Sequence, residues 1–144
     1  KEVGSSEGMK HTVETSPFFD AWVQSAPQDF ETIRSALLAK DLETLGPAVE
    51  HSSLAMHASA IAARPGVIYW SGATLEALRA VRELRRKGTL AFGTMDAGPH
   101  VKVLCLESDV DEVRRALEGV PGVLRTLVTR PGPGAQLAPS SVGS

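Results

Sequence analysis

Leu90-Ala91-Phe92-Gly93-Thr94-Met95-Asp96-Ala97-Gly98-Pro99-His100-Val101-Lys102-Val103-Leu104-Cys105-Leu106 is the stretch on which the fold turns. It holds two β-prone runs, 90–95 and 101–106, joined by turn-forming residues, and so reads as an antiparallel hairpin. Val101, Val103 and Cys105 alternate onto one face of the second run, which makes the cysteine a small buried hydrophobe rather than a nucleophile. In the turn, Gly98 tolerates backbone angles closed to other residues, Pro99 stiffens the chain, and Ala97 leaves room above the Asp96 carboxylate. Such a tip can present an acid to a substrate. On local physics alone the commoner reading is an ordinary Asp-Ala-Gly-Pro turn with a solvated carboxylate, and the motif needs support from elsewhere in the chain.

Working outward, Val67-Ile68-Tyr69-Trp70 is a short β-prone run, and Ser71 caps a helix carrying Leu75, Leu78, Val81 and Leu84 as far as Lys87-Gly88. After the hairpin, Ser108 or Asp109 caps a helix with Val110, Val113 and Leu117, and Val123-Leu124-Arg125-Thr126-Leu127-Val128 reads as a last strand. From residue 67 the order is therefore βαββαβ, the pattern of a ferredoxin-like split unit. The segments before it are helical. Residues 9–15 run up to Ser16-Pro17. Phe18, Phe19, Trp22 and Val23 form one stripe, and a second helix opens near Pro27 and carries Phe30, Ile33, Leu37 and Leu38. Residues 42–63 form another helix, stopped by Pro65-Gly66. These helices should cover the sheet, with Trp22 and Trp70 in the core, giving the α+β class.

A chain of 144 residues, 42% hydrophobic and 22% charged, suffices for one domain with its own core. Fifteen basic residues against seventeen acidic, net charge -2, with no basic run longer than Arg85-Arg86-Lys87, argue against nucleic acid as a partner. Apolar runs break well before the roughly 18 residues of a membrane span, so no membrane role is expected. One cysteine fits the reducing cytoplasm. The opening Lys1-Glu2-Val3-Gly4 reads as part of a longer protein. After Arg130-Pro131-Gly132-Pro133-Gly134, residues 135–144 are too poor in apolar side chains to order themselves and are expected to form a disordered tail. His51 and His57 point to different helix faces and find no further ligands, so no metal site is expected, and His57 reads as a satisfied or surface residue.

Five elements, in order, carry a resemblance: Ser5-Ser6-Glu7-Gly8-Met9, Thr12-Val13-Glu14-Thr15-Ser16-Pro17, Met56-His57-Ala58, Tyr69-Trp70 and Met95-Asp96-Ala97-Gly98-Pro99. Together they resemble the C-terminal domain of diphosphomevalonate decarboxylases of the GHMP kinase superfamily, over residues 1–134. The resemblance implies ATP-dependent phosphorylation of the 3-hydroxyl of mevalonate 5-diphosphate, then loss of phosphate and carbon dioxide to give isopentenyl diphosphate. It implies Asp96 as the catalytic carboxylate. An aspartate, of pKa about 3.9 in model peptides, is a weak base toward an alcohol, so its expected work is to orient the hydroxyl and accept its proton late.

The same resemblance implies that Ser5 and Ser6, in a loop, meet the substrate's phosphates and that Ala97 and Gly98 pack against the substrate. Ser6 stands where some members carry Arg, and His100 where Asn is expected. ATP and its Mg2+ would be held by an N-terminal domain, since no Gly-rich phosphate loop occurs here, and the domain alone would be inactive. A homodimer is also implied. Two alternatives stand beside this reading: a phosphomevalonate decarboxylase or mevalonate 3-kinase of the same fold, and a non-catalytic ferredoxin-like binding module.

Overall fold

Each helix boundary has a local cause in the sequence. The computed structural model describes residues 4–134. Helix α1 covers Ser5–Thr15, α2 Phe19–Ala39, α3 Leu42–Ile61 and α4 Gly72–Arg86. Strands β1, Ala91–Thr94, and β2, Lys102–Cys105, follow, then a 3-10 turn at Glu107–Asp109 and α5, Val110–Glu118. Asp41 opens α3 by accepting the Thr44 N–H, and Ser71 opens α4 in a reciprocal capping box with Thr74. Lys40 ends α2 in the left-handed conformation, with φ of 56°.

The hairpin is antiparallel, with Ala91 opposite Cys105 and Thr94 opposite Lys102. One face of this two-stranded sheet packs on α4 and α5, where Val81, Leu84, Ala91 and Val113 are buried together and Val103 and Cys105 lean on them. Burial pushes the Cys105 thiol pKa up, with the Asp109 charge adding to it, which suits the apolar role expected of it. A second apolar cluster, Ala60, Ala63 and Val67 with Tyr69 against it, ties the end of α3 to the chain that leads into α4.

The α+β class holds, as helices around a small antiparallel sheet, but the four-stranded ferredoxin-like sheet expected from the sequence is not formed among the described residues. Residues 67–70 are extended yet join no ladder, because Val67 gives its N–H to the Ala60 carbonyl at 3.0 Å and turns inward to the helical cluster. Residues 123–128 leave α5 through a turn at Gly122, φ 87°, and stay unpaired, with Leu124 97% exposed. A β-prone run becomes a strand only beside a free edge, and the outer edge of β1 is occupied by side chains of α3. The expected break near Pro27 is also absent. Pro27 lies on the exposed side of one continuous α2, where its missing N–H is easily borne. The expected tail at 135–144 lies outside the described residues.

Candidate active site at the hairpin tip

Helix α3 presents Gly46, Glu50, Ser53 and His57 as one stripe, at the three- and four-residue spacing that lines up a helix face. Gly46 is the point of closest approach, since a side chain there would overlap the Phe92 ring. Glu50 accepts the Gly93 N–H at 3.3 Å and forms a two-pronged ion pair with Arg85 at 3.0 and 3.1 Å. Arg85 in turn donates to the Ala91 carbonyl at 2.8 Å and lies over the Phe92 ring, 4.8 Å from its centre. Ser53 donates to the Met95 carbonyl at 2.9 Å and accepts the Met95 N–H at 3.0 Å. His57 closes the stripe, buried against the rings of Tyr69 and Trp70. These side chains thus take the place of a third strand along β1.

The tip follows directly. Asp96 extends its carboxylate into solvent, the side chain 87% exposed, and pairs with Lys102 across the hairpin mouth. Gly98 sits at φ 78°, and a side chain there would press to 3.3 Å from the Tyr69 carbonyl oxygen, so both conformation and space call for glycine. Thr74, from the capping box of α4, donates to the Pro99 carbonyl at 3.3 Å and anchors the far side of the loop.

Beside Asp96, Ala97 and Ser5 share a small cleft of about 120 Å³, closed by Met9, Trp22, Met56 and Tyr69. Burial, with the Glu7 charge added, pushes the Tyr69 hydroxyl pKa up, leaving it a neutral group at the rim. Two expectations need correction here. Ser5 and Ser6 are not in a loop: they form the first turn of α1, because Gly4 is already in capping position. Ser6 is exposed and is not among the residues that line the cleft, whereas Ser5 is. Amides in a first helical turn have no partner within the helix, so Ser5 and Ser6 stand at an end suited to anions.

Sequence reasoning missed Ser53, Lys102 and the depth at which His57 is buried. The signal for the first and last was present as Glu50, Ser53 and His57 at i, i+3 and i+7 on an otherwise apolar helix, a polar stripe that needs buried partners. Lys102 was legible only from the hairpin register, which brings it back beside Asp96.

Fold and tip define a helical α+β domain that carries one exposed carboxylate on a rigidly held hairpin. The chain belongs to the family described as the mevalonate 5-diphosphate decarboxylase C-terminal domain, which matches residues 1–128. Diphosphomevalonate decarboxylase from Aspergillus fumigatus is 30% identical to it over 125 residues, 85% of this chain and 31% of that protein. A solved structure described as MDDEF in complex with MVAPP, AMPPCP and magnesium superposes with a TM-score of 0.79 at 38% identity, over 85% of this chain and 38% of that one. Phosphomevalonate decarboxylase from Haloferax volcanii is 28% identical over 103 residues, 71% of this chain and 32% of that protein. The chain spans about a third of the length of these curated relatives.

Proposed function

We propose that this domain supplies the catalytic carboxylate of an ATP-dependent diphosphomevalonate decarboxylase, whose products are isopentenyl diphosphate, ADP, phosphate and carbon dioxide. The observation that carries the reading is the family match across residues 1–128, with Asp96 exposed at the tip of an anchored hairpin beside the Ser5 cleft. In this reading residues 1–134 are the C-terminal domain, joined to an N-terminal ATP-binding domain of the same polypeptide.

When bound, ATP with magnesium supplies the phosphoryl group that makes the 3-hydroxyl a leaving group. Among the described residues no three of His, Cys, Asp or Glu gather as ligands for a metal, so the metal's anchorage is assigned to the nucleotide and the other domain. Asp96 accepts a hydrogen bond from the tertiary hydroxyl, fixes its direction and takes its proton as the oxygen becomes bonded to phosphorus. Lys102 pairs with the carboxylate across the hairpin mouth. As the tertiary phosphate leaves it takes that proton back from Asp96, so the Asp96 carboxylate is charged again and stabilises the positive character that builds on carbon; the bond to the substrate's own carboxylate then breaks, its electron pair forming the C=C bond as carbon dioxide departs. Ser5 and Ser6, with the first-turn amides of α1, take phosphate oxygens of the substrate, and Ala97 and Gly98 allow its carbon skeleton to lie close.

The Haloferax volcanii relative favours one second reading, the monophosphate as substrate. No helix of the described residues is long and apolar enough to cross a membrane. We place the enzyme in the cytoplasm and expect a homodimer, checked by sedimentation. The deciding experiment measures ATP-dependent carbon dioxide release from mevalonate 5-diphosphate and from the 5-phosphate by the full-length protein and its Asp96→Asn variant. The expected outcome is turnover of the diphosphate and a loss of about 10²–10⁴-fold in kcat with the variant still folded. Turnover of the monophosphate alone moves the assignment to the sister enzyme. Activity untouched by the substitution overturns it.

A further inference from the structure

We propose that the outer face of α2 is where a second copy of this chain docks, in an antiparallel helix pair about a two-fold axis at Phe30. Ala36 is buried where the inner face of α2 packs on α3. Away from that contact Val23, Phe30 and Leu37 are 48%, 61% and 60% exposed, with Leu38 beside them at 74%. Single exposed apolar side chains are ordinary on a protein surface, but a row of them along one helix marks an interaction site. Val23, Phe30 and Leu37 stand seven residues apart, so they form one stripe that drifts by only about 20° at each step. Two helices absorb such a drift by crossing at about +20°.

The stripe is its own complement, which is what selects a second copy as the occupant. Rotation about an axis at Phe30 brings Phe30 against the partner's Phe30 and Val23 against the partner's Leu37, as an isologous contact requires. The charges follow the same symmetry. Asp20 and Lys40 lie ten residues to either side of Phe30. That is about 15 Å along the helix in each direction, so each Asp20 stands opposite the partner's Lys40. Both are exposed, and neither enters an ion pair among the described residues. The other charges of α2 are engaged within the chain: Arg34 pairs with Glu31 at 2.8 Å, and Asp29 turns inward toward His51. The ATP-holding domain is the rival occupant, but it has to close over the Ser5 cleft, which Trp22 lines. Phe30 and Leu37 lie about 12 and 22 Å further along α2 than Trp22. The proposal rests on the homodimer expected above and is independent of the role assigned to Asp96.

The test is sedimentation of the full-length protein over a range of concentrations, with circular dichroism to confirm that each variant is folded. Wild type is expected to be a dimer. Phe30→Glu sets two carboxylates against each other on the axis, and the dimer dissociation constant should rise by at least about 100-fold. Asp20→Lys and Lys40→Asp each bring like charges together at both ends of the pair. Each should weaken the dimer by about 3- to 30-fold, with the larger loss at low salt. The double variant Asp20→Lys/Lys40→Asp restores opposite charges and should regain most of that loss. If Phe30→Glu does not fold, the charge variants decide alone. A dimer indifferent to Phe30→Glu, or a double variant no tighter than either single one, overturns this surface and leaves the homodimer standing. A monomeric wild type overturns both. None of these outcomes touches the decarboxylase reading, which stands or falls with Asp96→Asn.

Discussion

The body of β1 and the tip that continues it are built on opposite terms. Along the body, polar main-chain groups of Ala91, Gly93 and Met95 are matched one by one from Arg85, Glu50 and Ser53. At the tip, the side chain of the next residue, Asp96, is exposed and its charged partner is a flexible lysine. The difference teaches how a short two-stranded sheet can carry chemistry. The backbone is held precisely from a buried helix face, and the tip carboxylate that we propose as the functional one stays exposed.

Breaking the body should therefore cost stability, as breaking the tip costs turnover. The largest expected effect on stability comes from Ser53→Ala. The Met95 N–H and carbonyl are both left without partners in a buried setting, at roughly 1–3 kcal/mol each, so a loss of about 2–6 kcal/mol is expected in urea denaturation. Asp96→Asn, at the tip, should leave the same midpoint unmoved. A Ser53→Ala protein as stable as wild type would mean that α3 does not act as the third strand.

Gly46→Ala sharpens the comparison at the other end of the stripe. Alanine is favoured over glycine in a helix by about 1 kcal/mol, yet its methyl would overlap the buried Phe92 ring. Overpacking of this kind costs about 1–3 kcal/mol, so a net loss of up to roughly 2 kcal/mol is expected. A stabilised variant would show that the contact between α3 and β1 is looser than the packing here implies.

What was legible in the sequence follows the same line. The hairpin and the Ser71 cap are local consequences of alternation and capping and are found, and Cys105 faces the core as alternation requires, though only partly buried. Asp96 at the tip was visible because Asp, Gly and Pro announce a turn. The two missing strands were not a matter of local preference: 67–70 and 123–128 are β-prone, but which edges are free is decided by α3, more than twenty residues away from β1 in the chain. Ser53 and His57 were hidden for the same reason. A polar residue on a helix reads as surface until its partner, distant in sequence, is known. The helical start of α1 at Ser5 was missed because Gly4, an indifferent cap by type, does the capping.

The smallest expected effect is on pH dependence, and it too separates body from tip. Burial lowers the proton affinity of His57 below the ordinary value of 6.5, an effect only partly offset by the nearby Asp96 main chain. The unfolded chain, with its ordinary histidine, therefore takes up a proton before the folded one does. The stability linked to this group is fully present above pH 6.5 and is lost as the pH falls from there through the folded value. His57→Asn does not titrate, so the stability difference between it and wild type should shift in the variant's favour on acidification. Urea midpoints of the two proteins at about pH 7.5 and pH 5 measure the shift, because every other titrating group is common to both and cancels in the difference. A difference that stays constant between the two would place His57 in contact with water and would take it out of the buried body of the hairpin.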